Sequence, residues 1–379
     1  MKLFFKILIQ TLICISVIFP SYSYEYSKSK DEVDKAIKYL YNYDLDSSLY
    51  FINIASEIDT EHPLVPFLKS SILWLKTQSE EGFEESYKQI RISFNEALPI
   101  YKNLIEKYPN DPEYYLYLGS LYGLIARIEL SYNHWFRALI PVLRGYKYIY
   151  KAYQIDPELK DIYLPMGLVS YYTCLSAPFV KFCYKSIGIN INCDSSLEYL
   201  EIASTESYYS WVEANNVLSY IYLHMNHDYN KAIKKLDPLI KKFPNHPFFP
   251  FLRAEALLHL KQWEELDNMM PLLKEFTNHQ SAIIREECSQ KLKYINTYKL
   301  FYNGEFNKVI ESSSNIIENY SMEFKWLLGM SYYLRANSYL ALNEIKKAKK
   351  DFKTVCKIDF KFPEVKLAQE KLHYLSKNK

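Results

Sequence analysis

Only 8 glycines occur among the 379 residues, so the chain has little material for the primed turns of hairpin-rich sheets or for glycine-rich phosphate cradles. No GxGxxG follows a strand-like run, no GxxxxGKS/T is present, and neither HExxH nor GxSxG occurs. The local signatures of dinucleotide, nucleotide, zinc-peptidase and serine-hydrolase chemistry are therefore missing. An excess of one charge is missing as well. Lysine and arginine total 46 against 44 acidic residues, and Lys2 and Lys6 fall in a leader, which gives no support for steering toward nucleic acid. The densest basic run, Lys346, Lys347, Lys349, Lys350 and Lys353, shares its segment with Ala348 and Phe352 and reads as the solvated face of a helix.

Cysteine is sparse. Cys14 sits in the leader without the small residues that precede a lipidated cysteine, and the other five, Cys174, Cys183, Cys193, Cys288 and Cys356, are an odd number that cannot all pair within the chain. Cys174, Cys183 and Cys193 are close enough in sequence for one disulfide, whereas Cys288 and Cys356 fall on helical patterns as buried small hydrophobes.

What is abundant is bulk. Tyrosine reaches 37, phenylalanine 21, and hydrophobic residues 49%, a balance that favours packed helices with large ridges and an all-α class. The first residues place Lys2 and Lys6 before an apolar run from Ile7 to Phe19, then Pro20, Ser21 and Ser23. That order reads as residues 1–23 forming a signal peptide cleaved near Ser23, with the mature chain exported and periplasmic. An uncleaved N-terminal membrane anchor is the competing reading.

Helix-period signatures recur through the mature chain. Tyr332, Ala336 and Tyr339 are followed by Ala348, Phe352 and Val355; Ala97, Tyr101, Leu104 and Pro109 by Tyr115, Leu118, Gly119 and Tyr122; Gly145, Ile149, Ala152 and Pro157 by Tyr163, Met166 and Gly167. Ser196, Leu200 and Ala203 give another copy, as do Ser219 and Tyr222 with Ala232, Leu236, Leu239 and Pro244. Fainter ones begin near Ser48, Ala254 and Gly304. A small residue on each helix lets a pair cross closely while an aromatic fills the groove between pairs. The packing set expected on this basis is Tyr115, Gly119, Tyr122, Gly145, Ala152, Gly167, Ala203, Ala232, Pro244, Ala336, Tyr339, Ala348 and Phe352.

These repeats of ~34 residues resemble the tetratricopeptide repeat (TPR) family over nearly all of residues 30–375. The resemblance implies a right-handed solenoid of about seven or eight helical pairs, with longer units over 30–210 and plainer ones over 211–379. Three units carry extra length, between Ser71 and Ala97, Gly119 and Gly145, and Gly167 and Ser196, as lengthened helices or excursions. Asn42, Tyr43, Asp44, His62, Pro63, Trp74, Trp135, Asp156, Pro157, Met166, Gly167, Tyr171, Tyr172, Ser176 and Pro178 make the chain similar to exported bacterial TPR proteins with long-helix insertions. They make it more distantly similar to the eukaryotic outer-membrane repeat family linked to inclusion clearance.

Candidate sites are few. His224, His227 and His246 could be imagined as a metal set, but HMNH beside Asp228 reads more readily as an exposed turn between two repeat helices, and the cysteine spacings match no zinc knuckle. Trp135, Tyr146, Tyr150, Tyr171 and Tyr172 are the aromatics that can reach a partner, with interhelix packing the favoured role for most of them. His134, Trp135 and Arg137 are expected on an elongated first helix of the third unit. Ser176 to Cys193 reads as an apolar excursion, tucked inward or touching a membrane or partner. The expectation is a scaffold without enzymatic activity, cofactor or metal, binding a protein or peptide on its concave face. A membrane-tethered envelope assembly factor is the alternative.

Overall fold

The computed structural model describes residues 28–379 apart from 133, 175–192, 324, 359–362 and 378–379. The expected leader and most of the excursion lie outside the described residues. Every regular element among those residues is helical. Eight pairs run α1 (Lys30–Tyr41) with α2 (Leu45–Ile58), α3 (Val65–Glu81) with α4 (Phe83–Lys107), α5 (Pro112–Ser131) with α6 (Trp135–Ile155), and α7 (Tyr163–Cys174) with α8 (Ser196–Glu206). They continue as α9 (Trp211–Tyr220) with α10 (Tyr229–Lys242), α11 (Phe249–Leu260) with α12 (Trp263–Phe276), α13 (Ala282–Tyr302) with α14 (Phe306–Glu318), and α15 (Trp326–Ala341) with α16 (Ile345–Lys357). A single helix, α17 (Pro363–Lys377), follows. The chain divides into two compact units, one reaching Leu218 and including Lys241–His246, the other comprising Ser219–Ile240 and Pro247–Lys379.

One turn recurs between first and second helices. Tyr43, Lys261, Gly304 and Asn343 adopt φ of 59°, 58°, 75° and 60°. The next residue's N–H then donates back five positions: Asp44 to the Tyr39 carbonyl, Gln262 to Leu257, Glu305 to Leu300 and Glu344 to Tyr339. The left-handed residue ends one helix by satisfying its last carbonyls, and the residue after it starts the next. Asp44 adds a side-chain cap by accepting from the Ser47 N–H at 3.1 Å. In the second helices the expected register holds, with Ala55, Leu104, Ala152, Ala203, Leu239, Leu273, Ile316 and Val355 all buried.

In the first unit the extra length went into both helices of the second and third pairs. α4 has 25 residues, α5 has 20 and α6 has 21. α5 and α6 cross backbone to backbone: a Cβ on Gly145 would stand 2.8 Å from the Gly119 carbonyl oxygen, and one on Gly119 would stand 2.6 Å from the Ile149 side chain. Gly167 meets Leu200 in the same way at 2.8 Å. Because α5 ends at Ser131, His134, Trp135 and Arg137 open the second helix of the pair, which corrects the expected first-helix position. Cys174 and Cys193 are joined by a disulfide, and Cys183 lies outside the described residues. Cys288 is buried and Cys356 partly so, both free.

The first unit also closes on itself. The Tyr209 hydroxyl donates to Asp34, 175 residues away, and the Asn245 N–H donates to the Asn42 side-chain oxygen at 3.3 Å. Tyr41 packs on Phe243 with ring centroids 5.0 Å apart, and Tyr43 sits edge-on to His246 at 5.0 Å. In an open repeat array each pair touches only its neighbours; here the first pair also meets the end of the unit. Asp161 anchors that end by accepting from the N–H groups of Tyr208, Tyr209 and Ser210 at 3.1, 3.3 and 2.6 Å.

Candidate functional site

Closure of the first unit covers its inner helices. In α5, fifteen of the 20 residues are buried, including Glu113, Arg127 and Glu129. The Arg127 guanidinium lies 4.4 Å from the Trp74 ring centroid and 5.9 Å from that of Tyr87. Tyr101 is wholly buried, donating to the Pro63 carbonyl at 2.8 Å and accepting from the Phe67 N–H at 3.0 Å. Tyr146, Tyr171 and Tyr172 are buried too, so their rings belong to interhelix packing and are not presented to a partner. Of the expected partner-facing aromatics, Tyr150 is 38% exposed; the side chain of Trp135 is outside the described set. Among the packing residues, Tyr122 stacks on Tyr148, Tyr115 is half-buried against Tyr148, Tyr339 is half-buried beneath Lys347, and Pro244 is exposed just beyond α10. Ala152, Ala203, Ala232, Ala336, Ala348 and Phe352 are fully buried.

The second unit carries a different arrangement. His227 stacks on Tyr229 (5.7 Å between centroids), Tyr229 on His259 (4.7 Å), His259 meets Tyr298 edge-on (5.3 Å), Tyr298 meets Tyr302 (5.2 Å), and Tyr302 meets Trp263 (5.3 Å). These rings come from the ends of first helices α11 and α13 and the starts of second helices α10 and α12. They form a ladder along the edge where the recurrent turns lie. Tyr229, His259, Trp263 and Tyr298 are half-buried and Tyr302 is 37% exposed, so each presents ring area while its body is held by packing. Spacing of 294, 298 and 302 places three tyrosines on one face of α13. That signal was in the sequence, but reads equally as core.

Beside the ladder lies a cavity of about 10 Å³, room for one water molecule, lined by Leu223, His224, His227, Glu255, His259, Trp326, Met330 and Glu364. His224 Nδ1 stands 3.7 Å from Glu255 Oε1, and His227 Nε2 stands 3.9 Å from Glu364 Oε1. Burial, reinforced by the other imidazoles, takes His224 down to about 3, and burial takes His259 to about 4. Burial pushes Glu255 up to about 8 and raises Glu364. The pocket therefore holds neutral imidazoles near neutrality beside a Glu255 carboxyl that favours the protonated form. His224 is thus part of a buried cluster, while Asn226 and His227 form the exposed turn expected of HMNH, and His246 packs in the first unit. Among the described residues no group of three His, Cys, Asp or Glu stands close enough to hold a metal ion.

Paired helices, a recurrent left-handed turn and close crossings at small residues define a tetratricopeptide-type helical-repeat solenoid. No family model and no curated protein matches the sequence. Among solved structures the chain is similar to TTC0263, a thermophilic TPR protein of Thermus thermophilus, at 15% identity and TM-score 0.36, over 61% of this chain and 99% of that one. A tetratricopeptide repeat protein from Parabacteroides merdae ATCC 43184 is similar at 13% identity and TM-score 0.26, over 92% and 99%. The TPR domain of P58(IPK) is similar at 12% and 0.22, over 92% and 98%.

Proposed function

We propose that this chain is a non-enzymatic, exported scaffold that binds a partner protein. The observation that carries the reading is the ladder of Tyr229, His259, Tyr298, Tyr302 and Trp263. Pre-packed, half-buried aromatic rings at a surface edge supply contact area at low entropy cost, which is the chemistry of protein-binding hot spots. The proposed docking surface is the turn edge of the second unit, where these rings are half-buried, whereas most of the inner helix α5 of the first unit is buried. Export is supported by the leader-like residues 1–23 and by the Cys174–Cys193 disulfide, a bond that persists in oxidising compartments.

The test is a crosslinking pull-down of residues 24–379, tagged at the C-terminus and expressed in the protein's own compartment, with and without Tyr298→Ala and Tyr302→Ala. One recurrent protein lost from the variant, with helical circular dichroism unchanged, is expected. Full retention of that protein, or recovery of no protein at all, overturns the reading.

A further inference from the structure

Helix α6 is basic and apolar on its open side and carries no acid in its 21 residues. Phe136 and Ile140 are 60% and 57% exposed, one helical turn apart. Arg137, Arg144, Lys147 and Lys151 are exposed around them, and none of the four forms an ion pair among the described residues. At 100° per residue, positions 136, 137, 140, 144, 147 and 151 fall within about a third of the helix circumference. The buried side is taken by Ala138, Pro141, Gly145, Ile149 and Ala152 against the rest of the unit. Acids on the preceding helices and turn are engaged: Glu84 accepts from the Tyr132 hydroxyl, Glu85 pairs with Lys88, and Glu129 pairs with Arg91 and His134.

We infer that this face of α6 docks on an anionic lipid bilayer surface. Two apolar side chains on a single ridge can enter the acyl boundary while arginine and lysine stems reach outward to lipid phosphates. Each basic side chain near such a surface strengthens binding about fivefold. A protein segment with acidic residues matches the charge but is held in a groove between elements, and the Phe136–Ile140 ridge is a single convex helix face. The inference is independent of the protein-docking ladder, which lies in the other unit.

Sedimentation of residues 24–379 with phosphatidylcholine vesicles, with and without phosphatidylglycerol, tests it. Binding is expected to the anionic vesicles alone, weakening as salt rises from low to high ionic strength. Arg144→Glu with Lys147→Glu is expected to lower it about a hundredfold or more, and Phe136→Ser with Ile140→Ser to lower it at constant charge, with helical content preserved in both. Lys346→Glu with Lys350→Glu on α16, the exposed basic run of the other unit, is expected to leave it unchanged. Equal binding to neutral vesicles, equal loss in the α16 variant, or no vesicle binding while an acidic protein is captured through α6 would each overturn the inference.

Discussion

The first unit's two ends meet, through Tyr209 with Asp34 and Tyr41 with Phe243, and most of the inner helix α5 is buried. In the second unit the first helices end in a row of half-buried rings, and a water-sized pocket remains beside them. The same helix-pair rule therefore yields one closed body whose accessible chemistry is on an outer helix, and one body whose turn edge is chemically dressed. Repeat packing decides where the helices go. The few residues that do not repeat decide which surface is left for use.

The sharpest way to break the contrast is to remove what fills the first unit. Arg127→Ala deletes a fully buried side chain stacked on Trp74, and should cost about 3–4 kcal/mol, the range for large buried truncations. Hydrogen exchange should show the loss in α3 and α5 while α13 keeps its protection. Gly145→Ala comes next. Its methyl would meet the Gly119 carbonyl at 2.8 Å, a backbone atom that cannot turn aside, and about 2–3 kcal/mol should be lost from the first unit, measured by chemical denaturation.

Acid separates the units by sign. In the first, burial takes His62 down to about 4 but pushes Asp161 to about 7 and Glu213 to about 8. At pH 5 the folded unit keeps protons on those two carboxyls that the unfolded chain has largely released, while the unfolded chain gains one on His62. The folded form binds more, so acidification from pH 7 to 5 tightens it. In the second, His224 and His259 lie at about 3 and 4 and His227 and His279 are lowered, against raised Glu255 and Glu364. There the two imidazoles held near 3 and 4 outnumber the one carboxyl held near 8, and the lowered His227 and His279 act in the same sense against the raised Glu364, so the unfolded chain takes up more protons and the same acidification loosens the unit. Each net proton contributes about 1.4 kcal/mol per pH unit at most. Hydrogen exchange at pH 7 and 5, corrected for intrinsic rates, should show α5 slowing and α11 quickening; parallel changes in both would refute the assignment.

What the sequence disclosed follows the same division. Gly119, Gly145, Gly167 and the residues seven positions along each second helix were legible, because close helix crossings demand small or apolar residues at fixed offsets. The burial of Tyr146, Tyr171 and Tyr172 was not legible as a choice between packing and binding, since a tyrosine-rich face has the same period in either role. Closure between residues 175 positions apart leaves no trace in a period of ~34. The pocket was half visible in His224 and His227, but Glu255 and Glu364 come from helices that only the fold brings near them.

The recurrent turn was hidden for a further reason, and it supplies the smallest effect. Tyr43, Lys261 and Asn343 occupy the left-handed position that Gly304 fills in the seventh pair. A side chain there costs about 1 kcal/mol relative to glycine, unless local hydrogen bonding offsets it as asparagine can. A Cβ on Gly304 would meet nothing within 4 Å, so Gly304→Ala isolates the backbone cost and should destabilise the second unit by about 1 kcal/mol. Lys261→Gly should act with the opposite sign and a smaller size, because the Lys261 ammonium 5.1 Å from the Tyr302 ring centroid is lost with the strain. If both substitutions destabilise equally in denaturant titrations, the turns are held by their side chains. If the signs differ, the backbone hydrogen bonds from Gln262 and Glu305 carry the turn whatever residue occupies it, which is how a repeat can persist in a chain with so little glycine.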